Sequence, residues 1–246
     1  MRKDGRENFH LRPVQITTNV MPYAEGSAEL SFGHTRVLCA ASVDENVPKW
    51  MSQEGKGWVT AEYNMLPRAT FYRTRRDRVA SSGRTQEISR LIGRSLRACI
   101  DLEKLGERQI HIDCDVLQAD GGTRTASITG GFVALALAVQ RLLKLNKIQK
   151  NPLLYYTSAV STAILNQQVI VDPTAEEDQS CSTDMNFAFS SFGDFIEIQG
   201  TAEGHAFSDK ELGQMIEQAR KSALILCQHQ EKALNGFFPL RKEVSS

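Results

Sequence analysis

Short runs of alternating apolar and polar residues fill the first sixty positions of the chain, and longer runs with a helical period follow them. Ser27 to Phe32, Thr35 to Val43 and Trp58 to Tyr63 are β-type runs, and Gly33 between the first two predicts a hairpin. Val47 to Gly57, with Pro48 and two glycines, reads as a loop. Arg68 to Gly83 has no usable period and predicts a long loop. A helix is expected from Thr85 to about Leu105, because Ile88, Leu91, Ile92, Cys99 and Leu102 fall on one face and Gly106 suits its C-terminal end. Ile110, Ile112, Cys114 and Val116 then alternate with polar residues, as in a strand with one buried face. Gln118 to Thr125 reads as a glycine-bearing loop. Ala126 to about Leu145, apolar nearly all round, reads as a deeply buried helix.

Beyond Pro152 the order recurs in outline. Ser158 to Leu165, Val169 to Val171, Met185 to Phe189 and Phe195 to Gln199 look like strands. A last helix opens at Ser208, where Ser208 and Glu211 form a capping box and Leu212, Met215, Ile216, Ala219 and Ala223 supply a buried stripe. Strands followed by a helix, twice over, predict an α+β fold. Two βα halves, residues 11–145 and 155–235, are expected to pack as one compact unit over 1–246.

Composition narrows the class. Of 246 residues, 41% are hydrophobic, enough for a full-sized core. No unbroken apolar run reaches the roughly 18 residues of a bilayer span; the longest is Phe132 to Val139. Met1 to Arg6 is charged and no apolar stretch follows it, so no secretory signal is expected. Five scattered cysteines without a CxxC pair predict buried free thiols in a reducing cytoplasm.

The formal net charge of zero hides a strong segregation. Leu66 to Arg97 holds nine arginines, no lysine and two acids, a local balance of +7. Asp172 to Glu217 holds eleven acids and one base, a balance of −10. Arginine used to the exclusion of lysine favours bidentate phosphate contacts.

Four groups of residues carry candidate chemistry. Gly121-Gly122-Thr123-Arg124-Thr125, between a strand and a buried helix, has the makings of an anion pocket: close-approaching backbone N–H groups, two hydroxyls, a helix N-terminus and a full charge. A tight turn with a capping threonine is the plainer reading of the same residues. Arg84, in Ser82-Gly83-Arg84-Thr85, sits at a helix N-terminus, where its charge opposes the helix dipole unless an anion is bound. Asp178 and Asp184 are hard oxygen donors of the kind that holds Mg²⁺, although the same stretch also reads as an acidic surface loop. Arg68, Arg73, Arg75, Arg76 and Arg78, interleaved with Phe71 and Tyr72, suit a single-stranded RNA, with a solvated loop or a subunit contact as the alternative. His10, His34, His111, His205 and His229 form no catalytic or metal-ligand spacing.

These segments, taken in order, resemble the RNase PH family nearly end to end. The resemblance is carried by Asp4-Gly5-Arg6 with Leu11-Arg12-Pro13, by Gly57 through Arg68, and by Gly83-Arg84-Thr85-Gln86-Glu87-Ile88 with Arg90-Leu91-Ile92-Gly93-Arg94. The stretch from Asp113 through Gly130 is the most specific. Glu177-Asp178, Thr183-Asp184-Met185-Asn186 and Gln199 through Gly204 complete it. The resemblance implies mixed sheets with helices packed against them, and a phosphorolytic 3′→5′ exoribonuclease that trims RNA, especially the 3′ trailers of tRNA precursors. It implies inorganic phosphate as co-substrate, held by Arg84, Gly122, Thr123 and Arg124. It further implies Mg²⁺ (or Mn²⁺) at Asp178 and Asp184, RNA on the loop Arg68 to Arg78, and a hexamer built as a trimer of dimers. Asp184 is open to a second role, as proton donor to the leaving 3′ oxygen. Gln86 and Cys181 depart from the family's usual methionine and alanine.

Overall fold

In the computed structural model, which describes residues 2–76, 82–203 and 206–237, two sheets enclose one long helix. The first sheet has the order β1-β2-β3-β5-β4, with β1 Val14–Thr18, β2 Gly26–Phe32, β3 Thr35–Asp44, β4 Trp58–Met65 and β5 Gln109–Gln118. It is mixed: β4 and β5 run parallel, as a strand–helix–strand crossover requires, and the other pairs are antiparallel. The second sheet, β7-β6-β8-β9, is antiparallel throughout, with β6 Thr157–Leu165, β7 Gln168–Val171, β8 Thr183–Ser190 and β9 Phe195–Ala202.

Five α-helices connect and cover the sheets among the described residues: α1 Gly83–Ala98, α2 Leu102–Leu105, α3 Thr123–Lys144, α4 Ala175–Ser180 and α5 Asp209–Ala233. The all-round apolarity of α3 is explained by its place: it packs on β2 and β3 from one side and on β6 from the other. Its length and apolarity would suit a membrane span, but 83% of its most apolar window is buried inside the protein. Gly26 lets β2 approach it closely, since a Cβ there would lie 2.2 Å from the Ala134 carbonyl oxygen.

Four expectations change. The helix expected from Thr85 to Leu105 is two helices, broken at Cys99–Asp101. Residues 152–154 capture the backbone there: Asp101 N–H donates to Pro152 O, Leu154 N–H donates to Cys99 O, and Ile100 bridges Leu153. The Asp101 side chain then caps α2. Helix α3 begins at Thr123 rather than Ala126, so Thr123 and Arg124 occupy its first turn. Asp178 sits on a short helix, not in a loop; that helix is entirely polar or small and so has no apolar period, but its Thr174–Glu177 capping box is a sequence signal. Strand β1 is an addition to the expected elements, because only Val14 and Ile16 mark its inward face.

The N-terminal arm is held by three arginines. Arg2, with a side chain 2% exposed, pairs in bidentate fashion with Glu177 and donates to the carbonyls of Val171 and Asp172. Arg6 donates to the carbonyl of Asp172 and to its carboxylate. Arg12 reaches the same carboxylate.

Candidate active site

The turn Asp120-Gly121-Gly122 ends β5 and throws the chain into α3. Both glycines have positive φ, 76° and 67°. Gly121 is required twice over: a Cβ there would also lie 2.4 Å from the Pro173 carbonyl oxygen, in the segment that leads to α4. Gly122 is the N-cap residue of α3 and offers no side chain of its own, so the helix N-terminus is open to an outside acceptor. Thr35 braces the turn, accepting from Asp120 N–H at 2.9 Å and donating to Gly121 O at 2.6 Å.

Thr123, Arg124 and Arg84 converge on this opening. The Tyr63 hydroxyl meets the Thr123 hydroxyl at 2.8 Å. Burial raises the Tyr63 pKa, so the phenol stays neutral. Arg124 donates to Gln199 Oε1 at 3.2 Å and lies 3.5 Å from Glu87 Oε1, which fixes its direction. Arg84 lies exposed in the first turn of α1, one residue beyond the Gly83 that follows N-cap Ser82, whose hydroxyl accepts from Thr85 N–H at 3.1 Å.

Opposite them stand the two carboxylates, Asp178 on α4 and Asp184 on β8. Burial, and then the charge of Asp184, push the Asp178 carboxyl above the usual aspartate range, although Arg84 and Arg124 pull it down. All six of Arg84, Gly122, Thr123, Arg124, Asp178 and Asp184 line one cleft of about 400 Å³. Two hard, mutually repelling carboxylates beside arginines make a donor set that fits Mg²⁺, which takes one or two carboxylates and completes its shell with water and phosphate oxygens. Among the described residues no larger metal-ligating group occurs.

The arginine loop stands apart from that cluster. Arg68, Arg73, Arg75 and Arg76 are exposed and do not line the cleft; Met65 and Thr70, at the base of the loop, do. Phe71 and Tyr72 are 83% and 80% exposed and pack edge to face. Arg78 lies outside the described residues, as does His205. Sequence reasoning missed Tyr63, Gln199 and Glu87, which contact Thr123 and Arg124, and the Arg12–Asp172 pair behind them. Most of these residues lie within the family-like motifs, but their roles depend on contacts across the fold that no local spacing reveals.

Comparison with known proteins gives a consistent result. The family model described as 3′ exoribonuclease family, domain 1, matches residues 10–139, and domain 2 of the same family matches residues 155–222. A curated ribonuclease PH from Bdellovibrio bacteriovorus is 51% identical over 240 residues, covering 98% of this chain and 99% of that protein. Among solved structures, rice (Oryza sativa) Rrp46 superposes with a TM-score of 0.77 at 20% identity, covering 95% of this chain and all of that one. An Archaeoglobus fulgidus exosome with RNA bound to its active site gives 0.74 at 21% identity, covering 92% and 91%. The last two likenesses are of fold.

Proposed function

The chain belongs to the ribonuclease PH family of 3′ exoribonucleases, and within that family we propose that the cleft at the N-terminus of α3 carries out the phosphorolysis of RNA. The protein is a phosphate-dependent 3′→5′ exoribonuclease and so a nucleotidyltransferase. The observation that carries the site assignment is the convergence of Arg84, Gly122, Thr123, Arg124, Asp178 and Asp184, from three helices and a strand, on one cleft.

In this reading inorganic phosphate lies at the open N-terminus of α3, with the Thr123 hydroxyl, Arg124 and Arg84 as donors. A phosphate oxygen attacks the terminal phosphodiester. The bond from that phosphorus to the preceding 3′ oxygen breaks, leaving a nucleoside 5′-diphosphate and an RNA one residue shorter. Reaction of two anions depends on positioning and charge stabilisation, which arginines supply. Phosphate is itself the nucleophile, so no activated serine, cysteine or histidine is needed. Asp178 and Asp184 would hold Mg²⁺ (or Mn²⁺), which when bound neutralises charge on the attacked phosphate and the leaving oxygen. Asp184 has a second role open to it, proton delivery to the leaving 3′ oxygen. Arg68, Arg73, Arg75, Arg76 and Arg78 take the upstream RNA, with tRNA precursor trailers as the preferred 3′ ends. The chain works as one unit of two βα halves, 11–145 and 155–235, assembled in a hexamer.

The deciding experiment uses a tRNA with a labelled 3′ extension, with Mg²⁺, and with or without inorganic phosphate. Nucleoside diphosphates are expected only with phosphate. Monophosphates without phosphate would mean hydrolysis, and RNA bound but uncut would mean a non-catalytic ring subunit.

A further inference from the structure

Building on that assignment of the phosphate and carboxylate sides, we propose that Arg12 is a positioning residue that sets the spacing between the phosphate-holding turn and the carboxylate-bearing helix. Its side chain is 4% exposed and does not line the cleft. One edge of the arginine grips Asp172: the backbone N–H and Nε donate to Oδ2 at 2.8 and 2.9 Å, and Nη2 donates to Oδ1 at 2.6 Å. The same guanidinium donates through Nη1 to the Asp120 carbonyl and through Nη2 to the Gly121 carbonyl at 3.3 Å. Those two carbonyls belong to the turn that opens into Thr123 and Arg124. Asp172 opens the segment that runs into α4 and Asp178. One rigid planar group therefore ties the two sides of the cleft together from behind.

The rest of the junction bears on the same distance. Asp120 Oδ1 accepts from Ala175 N–H at 3.1 Å, at the start of α4. The gap is closed tightly enough that a Cβ on Gly121 would lie 2.4 Å from Pro173 O and 2.8 Å from the Thr174 carbonyl carbon. Asp172 has φ of 52°, a left-handed conformation that a non-glycine residue keeps only where its surroundings hold it. Its N–H donates to Ser161 O at 2.8 Å, and its carboxylate takes Arg12 and Arg6. Burial opposes the Arg12 charge, but the hydrogen bonds and charge of Asp172, with the charges of Asp120 and Glu177, together outweigh it. A lysine at this position keeps the charge yet lacks the planar fork that spans a carboxylate and two carbonyls at once.

A positioning role and a purely structural one separate in the kinetics. Loosening the junction leaves Arg84, Thr123 and Arg124 in place to bind phosphate, but displaces the bound phosphate relative to Asp178. For full-length Arg12→Lys, assayed on an oligoribonucleotide over a range of phosphate concentrations, kcat should fall on the order of 10- to 100-fold, the scale of a misplacement near 1 Å. The phosphate KM should stay within about threefold of wild type. Gly121→Ala presses the turn to which Arg12 donates against Pro173 while leaving the Arg12 side chain in place, and should give the same kcat-led loss, so it decides alone if Arg12→Lys fails to fold. The proposal is overturned if a folded Arg12→Lys keeps kcat within about twofold of wild type whatever its melting temperature, or if the whole loss lies in phosphate KM. The wild-type arm isolates the underlying reading: if it makes no diphosphates from phosphate and RNA, the functional assignment fails before the variants are compared.

Discussion

Arg84 and Arg124 face the same opening under different constraints, and substitution should tell them apart. Arg124 is 20% exposed and braced by Gln199 and Glu87, whereas Arg84 is exposed at the end of α1. A charge-assisted hydrogen bond to phosphate is worth roughly 1.5–3 kcal/mol, so Arg84→Ala should lower kcat/KM for phosphate by about 10- to 100-fold. An Arg84→Ala enzyme with wild-type phosphate dependence would remove it from the site. Asp178 makes a second, electrostatic prediction. Its folded pKa is raised, so the folded chain holds this proton more tightly than the unfolded chain does. Its contribution to stability therefore declines as pH rises from the unfolded value, 3.8, through the folded one. Carboxyl NMR should place its midpoint above 3.8 in the wild type, and lower in Asp184→Asn, where the repelling charge is gone. An identical midpoint in both proteins would mean that the two carboxylates do not interact. The candidate arginines and glycines were legible locally as anion chemistry, whereas the choice of Asp178 and Asp184 among neighbouring acids came from the family resemblance and not from their spacing. The partners of these residues were not legible, because Tyr63 meets Thr123 across 60 positions and Arg12 meets Asp172 across 160.

The elements that carry these residues were legible to the extent that burial imposed a period on them. Strands β2 to β6 and helix α5 follow the apolar pattern, and the Ser208–Glu211 capping box stands where the sequence puts it. Helix α4 escaped because all six of its residues are polar or small, and what holds it is at its start: the Thr174–Glu177 box, the Asp120 carboxylate and the Arg2–Glu177 pair. A helix this short has little stability of its own. Thr174→Ala should cost about 1 kcal/mol. In a chain of this size that lowers the melting temperature by about 2–4 °C. If Asp178 holds Mg²⁺, the change should also raise the Mg²⁺ concentration needed for half-maximal activity, since Asp178 rides on the same helix. A Mg²⁺ titration that does not move would separate α4 from metal binding.

At the scale of the whole molecule, zero net charge conceals an arginine loop on one segment and an acidic second half on another. If the loop neutralises RNA phosphates, Arg73→Ala combined with Arg76→Ala should weaken RNA binding and flatten its salt dependence, by a slope of roughly 0.7 for each phosphate left without its cation. Binding measured between low and moderate salt decides it, and an unchanged slope takes the loop out of the RNA path. The two-sheet architecture was legible as two successive strand–helix units. That α3 belongs to both was readable only as an apolarity too complete for a helix with one face to bury. The arm at residues 2–12 has a consequence for how the protein is made. Arg2 must wait for Glu177, 175 positions later, before it has its carboxylate partner. Asp178 and Asp184 emerge after that. At ordinary rates of translation the delay is on the order of ten to thirty seconds. Throughout that time the nascent chain carries its basic loop without Asp178 and Asp184, so on the proposed mechanism a nuclease made among ribosomal and transfer RNAs is three-quarters synthesised before it can cut any of them.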